Sequence, residues 1–334
     1  MKAMVMHEFG GKLVLEDIPK PVPADDQVIL KVLKVGLCGS DLKITGGRIN
    51  TTPLPFVPGH EIAGQVVECG RDADPSWLGK RVVLHTYQGC MKRPRCLNGE
   101  YNRCENLKGR IGFELYGGLG EYVAVSVNNI VEIPDNVSDK DAAVATCAIL
   151  SIVHAIHRAG VSKSEKVLML GTGGLGLHGI QYLVDMGVEC TAVDIAQRKL
   201  DLAKEYGAAH AITFDEFAAS TEKYDVIFDN LAKPEITKSS AMRLTKGGRY
   251  VMVAYSPGNS CLFDSEYMHL NETYFVGTRN GTIAEMKEIL QLESEGRIHP
   301  IIDDVLPVTA VNEALEMIRS GQSTGRVVLS FDLI

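Results

Sequence analysis

Three short segments carry side chains suited to metal chemistry. "GLCGSD" offers Cys38, "PGHEIAG" offers His60 and Glu61, and "ATCAILS" offers Cys147. Two thiolates and an imidazole are a zinc donor set, and three protein ligands leave the fourth tetrahedral position for water or substrate. Each residue also has a plainer reading. A free cysteine is commonly a small buried hydrophobe, and a single histidine is commonly a hydrogen-bonded core residue. Ligands so far apart along the chain provide no spacing rule, so residue types alone leave both readings open.

A second set of thiols is local. "GCMKRPRCLNGEYNRC" places Cys90, Cys96 and Cys104 in C-x5-C-x7-C spacing, with Lys92, Arg93 and Arg95 among them. Three thiols are most of a zinc knuckle, a chance cluster, or a site that has lost its metal.

The third feature is a phosphate-binding loop. "KVLMLGTGGLGLHGIQYL" sets Gly171, Gly173 and Gly176 in G-x-G-x-x-G register, with Gly174 and Leu175 between them, after a strand and before a helix. The first glycine permits the tight turn, the second lets backbone approach a pyrophosphate, and the third lets helix and strand pack closely. The helix N-terminus adds N–H donors and a positive dipole end. Asp194 ends the next strand, 18 residues after Gly176. Its carboxylate suits ribose hydroxyls and repels a 2′-phosphate, so NAD is favoured over NADP. Arg198 and Lys199 lie near enough to offset that repulsion in part, although a solvated helix face is the plainer reading for both.

The elements that must position these groups fall into two textures. From Met1 to about Ile133, short strands separated by Gly and Pro ("KLVLEDI", "QVILKVLKVGLC", "EIAGQVVECG", "KRVVLHT", "EYVAVSVNNIVEI") predict an all-β, barrel-like domain. "QVILKV" and "EYVAVSV" alternate, which predicts one face on a core. From Lys166, strand and helix alternate, which predicts a parallel sheet with crossover helices, and the C-terminal strand returns to the first domain.

Composition sets limits. A chain of 334 residues exceeds what one core usually holds, and its formal charge of −8 gives no general attraction to nucleic acid or anionic membranes. "MKAMVMHEFG" has no apolar core of signal-peptide length, and "AAVATCAILSIV", 12 residues, falls short of the roughly 20 that span a bilayer. The expectation is a soluble, cytoplasmic protein whose eight cysteines are thiols or metal ligands.

Taken in order, "GLCGSDLK", "PGHEIAG", "GGLGEYVAV", "ATCAILSIVHAIHRAG" and "VLMLGTGGLGLHGIQYL" resemble the zinc-dependent alcohol dehydrogenases of the medium-chain dehydrogenase/reductase superfamily, over essentially the whole chain. The resemblance implies a GroES-like catalytic domain (residues 1–147 and 297–334), a Rossmann domain of doubly wound parallel sheet that binds NAD (148–296), and an active site in the cleft between them. It makes Cys38, His60 and Cys147 the ligands of one catalytic zinc, with Glu61 a carboxylate able to approach the metal. Ser40 becomes the hydroxyl that takes the substrate proton, Asp41 the group that orients His60, and Arg326 a contact of the cofactor pyrophosphate. Without the family, Arg326 reads as an exposed strand-end cation. Lys43 stands where many relatives carry the histidine of a proton relay, so the exit of the proton differs here.

The same resemblance bears on the local thiols. Relatives with a structural zinc carry C-x2-C-x2-C-x7-C, and Arg93 occupies the second of those positions. A guanidinium has no lone pair for a metal. Structural zinc usually has four protein ligands, so the expectation is a lobe without zinc, with water or Glu100 as the alternative fourth donor.

The implied reaction is hydride transfer between a small alcohol and NAD, with carbonyl reduction as its reverse. Segments "TGGRINTT", "HTYQ" and "GFELYGG" are expected to line the substrate site. Arg48, Asn50, Tyr87 and Tyr116 there favour a secondary or polyhydroxylated alcohol. Competing readings are a zinc-free, NADPH-dependent carbonyl or enone reductase of the same superfamily and a non-catalytic dinucleotide-binding protein. A homodimer or tetramer, joined through an edge from "GRYVMVAY" to "TYFVGT", follows from the resemblance alone.

Overall fold

The computed structural model describes residues 1–333, and the chain divides into two compact units. The first comprises residues 1–150, 281–296 and 300–334; the second comprises residues 151–280 and 297–299. Where the sequence assigns 281–296 to the nucleotide domain, their contacts place them in the first unit. The helix Ile283–Ser294 begins with the Ile283 amide donating to the Gly99 carbonyl at 3.3 Å and ends with Ser294 bonded to Asn136. The chain pattern around this helix is the same on either side of such a boundary, so only these long-range bonds assign it.

The first unit is built on a seven-stranded sheet. Its centre is Gln27–Leu37, an 11-residue strand antiparallel to Glu61–Cys69 along one edge. On its other edge, the first half pairs with Tyr122–Ser126 and the second half with Arg326–Ser330. Its register with Glu61–Cys69 shifts between Ile29 and Leu30 and again between Val32 and Lys34. The expected alternation in "QVILKV" is not what burial shows: Val28, Ile29 and Leu30 are all buried. This central strand has the helix Asp139–Val144 packed against it, which removes the solvent-facing side that alternation requires. Tyr122–Ser126 keeps more of the alternating pattern.

The second unit is a six-stranded, wholly parallel sheet in the order His210–Thr213, Cys190–Asp194, Val167–Leu170, Tyr224–Asp229, Leu244–Met252, Tyr274–Gly277. The first strand in sequence lies in the interior, with successive strands added outward on one side and then on the other. Such an order leaves a switch point beyond the C-terminal end of Val167–Leu170, where nucleotides bind in open α/β sheets. Leu168, Leu170, Val193, Ile227 and Tyr250 form the core around it.

One expectation needs correction. The apolar run judged too short for a bilayer belongs to a continuous helical stretch, Asp139–Ala159, whose 21 residues satisfy length and composition for a span. Within its most apolar window, 78% is buried inside the protein, as in a core helix.

Candidate functional site

Strand register explains why residues remote in sequence meet. Gly36 pairs with Glu61, and Leu37 pairs with Val327. Cys38 and His60 therefore stand just past, and Arg326 at, the same end of three adjacent strands. Cys147 arrives by another route. The helix Asp139–Val144 packs on Gln27–Leu37 and Glu61–Cys69 and then widens into a π-helical turn over Ala145–Ile149. Such turns are rare inside α-helices and often mark functional sites. Nothing in "ATCAILS" announces it.

The ligand atoms of Cys38, His60, Glu61 and Cys147 all lie within 4.8 Å of one another. Cys38 caps the helix Gly39–Thr45, and its sulfur accepts the Ser40 amide at 3.3 Å. Asp41 on that helix does two things. One carboxylate oxygen accepts the Cys38 amide at 2.9 Å, and the other lies 3.2 Å from Nδ1 of His60. With Nδ1 donating to Asp41, Nε2 is the nitrogen His60 would turn to a metal, and it lies 3.3 Å from the Cys38 sulfur. Phe113 packs against the His60 ring at 5.0 Å between centroids.

Electrostatics at the cluster are those of a cation site. The hydrogen bond from Cys147 holds Cys38 well below the ordinary thiol range, against burial and with help from His60. The same bond, with burial, raises Cys147. Burial pushes Glu61 up to about 7 even though Arg326 opposes it. The Nε of Arg326 bonds both Glu61 oxygens, at 3.1 and 3.2 Å. Two thiols, an imidazole and a carboxylate in one place, all buried except the half-buried Cys147, fit zinc in donor type and number.

Sequence reasoning missed some of this site. Gly36 lies under Glu61, and a Cβ there would overlap the Glu61 carboxylate. Arg326 is buried on Glu61, in contrast to an exposed strand end. Both follow from cross-strand pairing, which no local motif encodes. Ser40 and Lys43 are half-buried on the helix that Cys38 caps. Burial lowers Lys43 from the ordinary lysine range, Arg48 adds to this, and the Cys38 charge opposes it.

In the second unit, the glycine loop joins Val167–Leu170 to the helix Gly176–Asp185. Gly171 has φ +83, and a Cβ on Gly176 would overlap the Gly171 carbonyl. A Cβ on Gly173 would meet nothing within 4 Å, so the space that residue leaves is open to a ligand. Gly174 and Leu175 lead into the helix, where the Leu175 carbonyl accepts the Gly179 amide and His178 bonds the Gly174 carbonyl. The geometry fits a dinucleotide phosphate.

Asp194 is buried and already accepts four bonds: the Thr172 amide at 2.8 Å, the Thr172 hydroxyl at 3.2 Å, and the Ile195 and Ala196 amides at 2.8 and 3.1 Å. Its first role is thus to hold the loop. Asn230, also missed, donates to the Leu170 and Gly171 carbonyls at 3.2 Å each. Arg198 is exposed and Lys199 half-buried on the following helix.

Comparison with known proteins places this geometry. Residues 24–135 match the alcohol dehydrogenase GroES-like domain, and residues 174–295 match the zinc-binding dehydrogenase domain. The chain is 31% identical to an alcohol dehydrogenase of Geobacillus stearothermophilus, covering 99% of this chain and all of that one. It is 28% identical to an acryloyl-coenzyme A reductase of Metallosphaera sedula, over 99% of this chain and all of the relative. Among solved structures, the acetophenone reductase of Geotrichum candidum in complex with NAD superposes with a TM-score of 0.90 at 30% identity, covering 100% of this chain and 98% of that one.

Proposed function

Since the chain belongs to the zinc-dependent alcohol dehydrogenase family of the medium-chain dehydrogenase/reductase superfamily, we propose that it interconverts a small secondary or polyhydroxylated alcohol and its carbonyl form with NAD. The observation that carries this reading is the convergence of Cys38, His60, Glu61 and Cys147 within 4.8 Å. When bound, zinc there supplies Lewis-acid polarisation of an alcohol or carbonyl oxygen, and NAD on the glycine loop supplies the hydride partner.

The chain's own residues do the rest. Asp41 keeps His60 in the tautomer that presents Nε2, and the Ser40 amide steadies the Cys38 thiolate. Ser40 Oγ takes the alcohol proton and passes it to water or a ribose hydroxyl. Lys43, three residues further along the helix, shares its face, and its ammonium lowers the cost of negative charge building up there. Arg326 holds Glu61 and, by the family pattern, also meets the cofactor pyrophosphate. Asp194, whose charge disfavours a 2′-phosphate, sets the preference for NAD. A homo-oligomer in a reducing, cytoplasmic compartment accords with the family and with eight free thiols.

Steady-state rates with secondary alcohols and polyols, measured on the zinc-loaded protein with NAD and with NADP, test this. We expect turnover with NAD and a lower KM for NAD than for NADP; the reverse order, or no turnover across the panel, overturns the proposal. The similarity to an acryloyl-coenzyme A reductase favours a second reading, reduction of an activated double bond. That activity would survive chelation, whereas alcohol oxidation would not.

A further inference from the structure

The lobe from Gly89 to Cys104 has the shape of a metal knuckle without the donors of one. The sulfurs of Cys90, Cys96 and Cys104 lie within 4.8 Å of one another, and no fourth Cys, His, Asp or Glu ligand atom joins them among the described residues. Arg93 caps the short helix Pro94–Leu97 and pairs its guanidinium with Glu105. Glu100, the other carboxylate nearby, is paired with Arg103 at 2.9 Å. A donor set of three thiols with these two carboxylates paired elsewhere does not fit the closed, four-ligand pattern of structural zinc.

What remains is a prepared pair of thiols. The Cys90 and Cys96 sulfurs are 3.6 Å apart and buried, packed among Tyr87, Tyr101 and Ile283. Met91 has φ 53, and the two amides that follow it, of Lys92 and Arg93, bond the Cys90 sulfur. The Lys92 amide, helped by the Cys104 and Cys96 thiols and the Arg93 amide, brings Cys90 down to about 7 against burial. Burial first, then its hydrogen bonds to the other two thiols, pushes Cys96 up to about 11. The surroundings therefore favour the thiolate at Cys90 and the protonated thiol at Cys96. An attacking thiolate beside a resolving thiol is the arrangement that reacts with hydroperoxides.

We propose that this lobe is a peroxide-modification site in place of a metal site, with Cys90 the attacked thiol and Cys96 its disulfide partner. The Cys90 thiolate attacks one oxygen of hydrogen peroxide, the O–O bond breaks, and the departing hydroxide takes a proton to become water. Cys90 is left as a sulfenic acid. The Cys96 sulfur then attacks the Cys90 sulfur, and the hydroxyl leaves with the Cys96 proton as a second water. Two thiols are oxidised to one disulfide while one peroxide is reduced to two waters. The sulfurs need to close from 3.6 Å to a bond of about 2.05 Å.

The test uses the zinc-loaded chain. Elemental analysis is expected to return about one zinc per chain. Brief treatment with hydrogen peroxide, then alkylation and peptide mass spectrometry, is expected to show a Cys90–Cys96 cross-linked pair about 2 Da lighter than the two thiol peptides. Alkylation of Cys90 should fall at least about tenfold, and dithiothreitol should restore it. Arg93→Cys completes the donor set, and the variant should take up a second zinc and lose the cross-link. Two zincs in the unaltered protein, thiols at Cys90 and Cys96 that remain alkylatable after peroxide, or a cross-link confined to Cys38 and Cys147 would each overturn the proposal.

Discussion

The two thiol clusters of the first unit draw on the same sulfur chemistry and differ in how the set is closed. At Cys38 and Cys147, the third donor is His60, with Asp41 behind it, and Glu61 completes the group from a neighbouring strand position. At Cys90, Cys96 and Cys104, the position that would supply a fourth donor holds Arg93, a cation turned toward Glu105. The first cluster gathers charge of the sign a dication neutralises. In the second, four basic residues, Lys92, Arg93, Arg95 and Arg103, lie within the segment that carries the thiols. On the proposal above, thiol count is a poor guide to metal competence. The identity of the remaining donor and the charge around it decide the matter.

Variants can break this comparison at several strengths. The largest effect is expected from Cys38→Ala or His60→Ala, which should lower kcat/KM by more than about a thousandfold and remove zinc while NAD still binds. Near-normal rates in either variant would remove the metal centre from the mechanism. Next comes Asp41→Asn, which keeps shape but weakens the hold on His60 Nδ1; zinc affinity should drop by about 10–100-fold in chelator competition.

A smaller effect is expected at Glu293, on the helix whose first residue packs on the lobe thiols. Both Glu293 carboxylate oxygens are sealed without a hydrogen-bond partner, and burial, reinforced by Asp141, holds this carboxyl well above the usual range. The folded state therefore binds its proton more tightly than the unfolded chain does. Below the unfolded pKa both states are protonated and stability is full; it is lost as pH climbs toward the raised folded value. Glu293→Gln should leave Tm unchanged near pH 4 and raise it by about 2–4 °C at pH 8. A shift of equal size at both pH values would point to packing instead. The smallest effect is expected for Cys104→Ser, with kcat/KM within about twofold and no zinc lost. Loss of a zinc equivalent there would mean that the lobe does hold metal.

Sequence legibility follows how local the physics is. Gly171, Gly173 and Gly176 were readable because a tight turn, a close approach and a helix start are satisfied within a few residues. The parallel-sheet class followed from strands and helices in alternation. At the metal centre, residue types alone left core and ligand readings open for Cys38, His60 and Cys147, and the family resemblance supplied the grouping. Gly36, the π-helical turn at Cys147 and the pairing of Arg326 with Glu61 had no readable signal. Each exists only because strands or helices distant in sequence come side by side.

By itself, then, the amino-acid sequence determined which side chains were available, where the glycine loop begins and that Arg93 replaces a possible ligand. Tertiary structure alone decided which donors meet: Gly36 facing Glu61 and Leu37 facing Val327 bring three strand ends together, and a packed helix delivers Cys147. The reason is physical. A metal centre needs ligand atoms within a few ångströms, and over such separations along the chain that proximity comes from packing rather than from the bonds joining neighbouring residues.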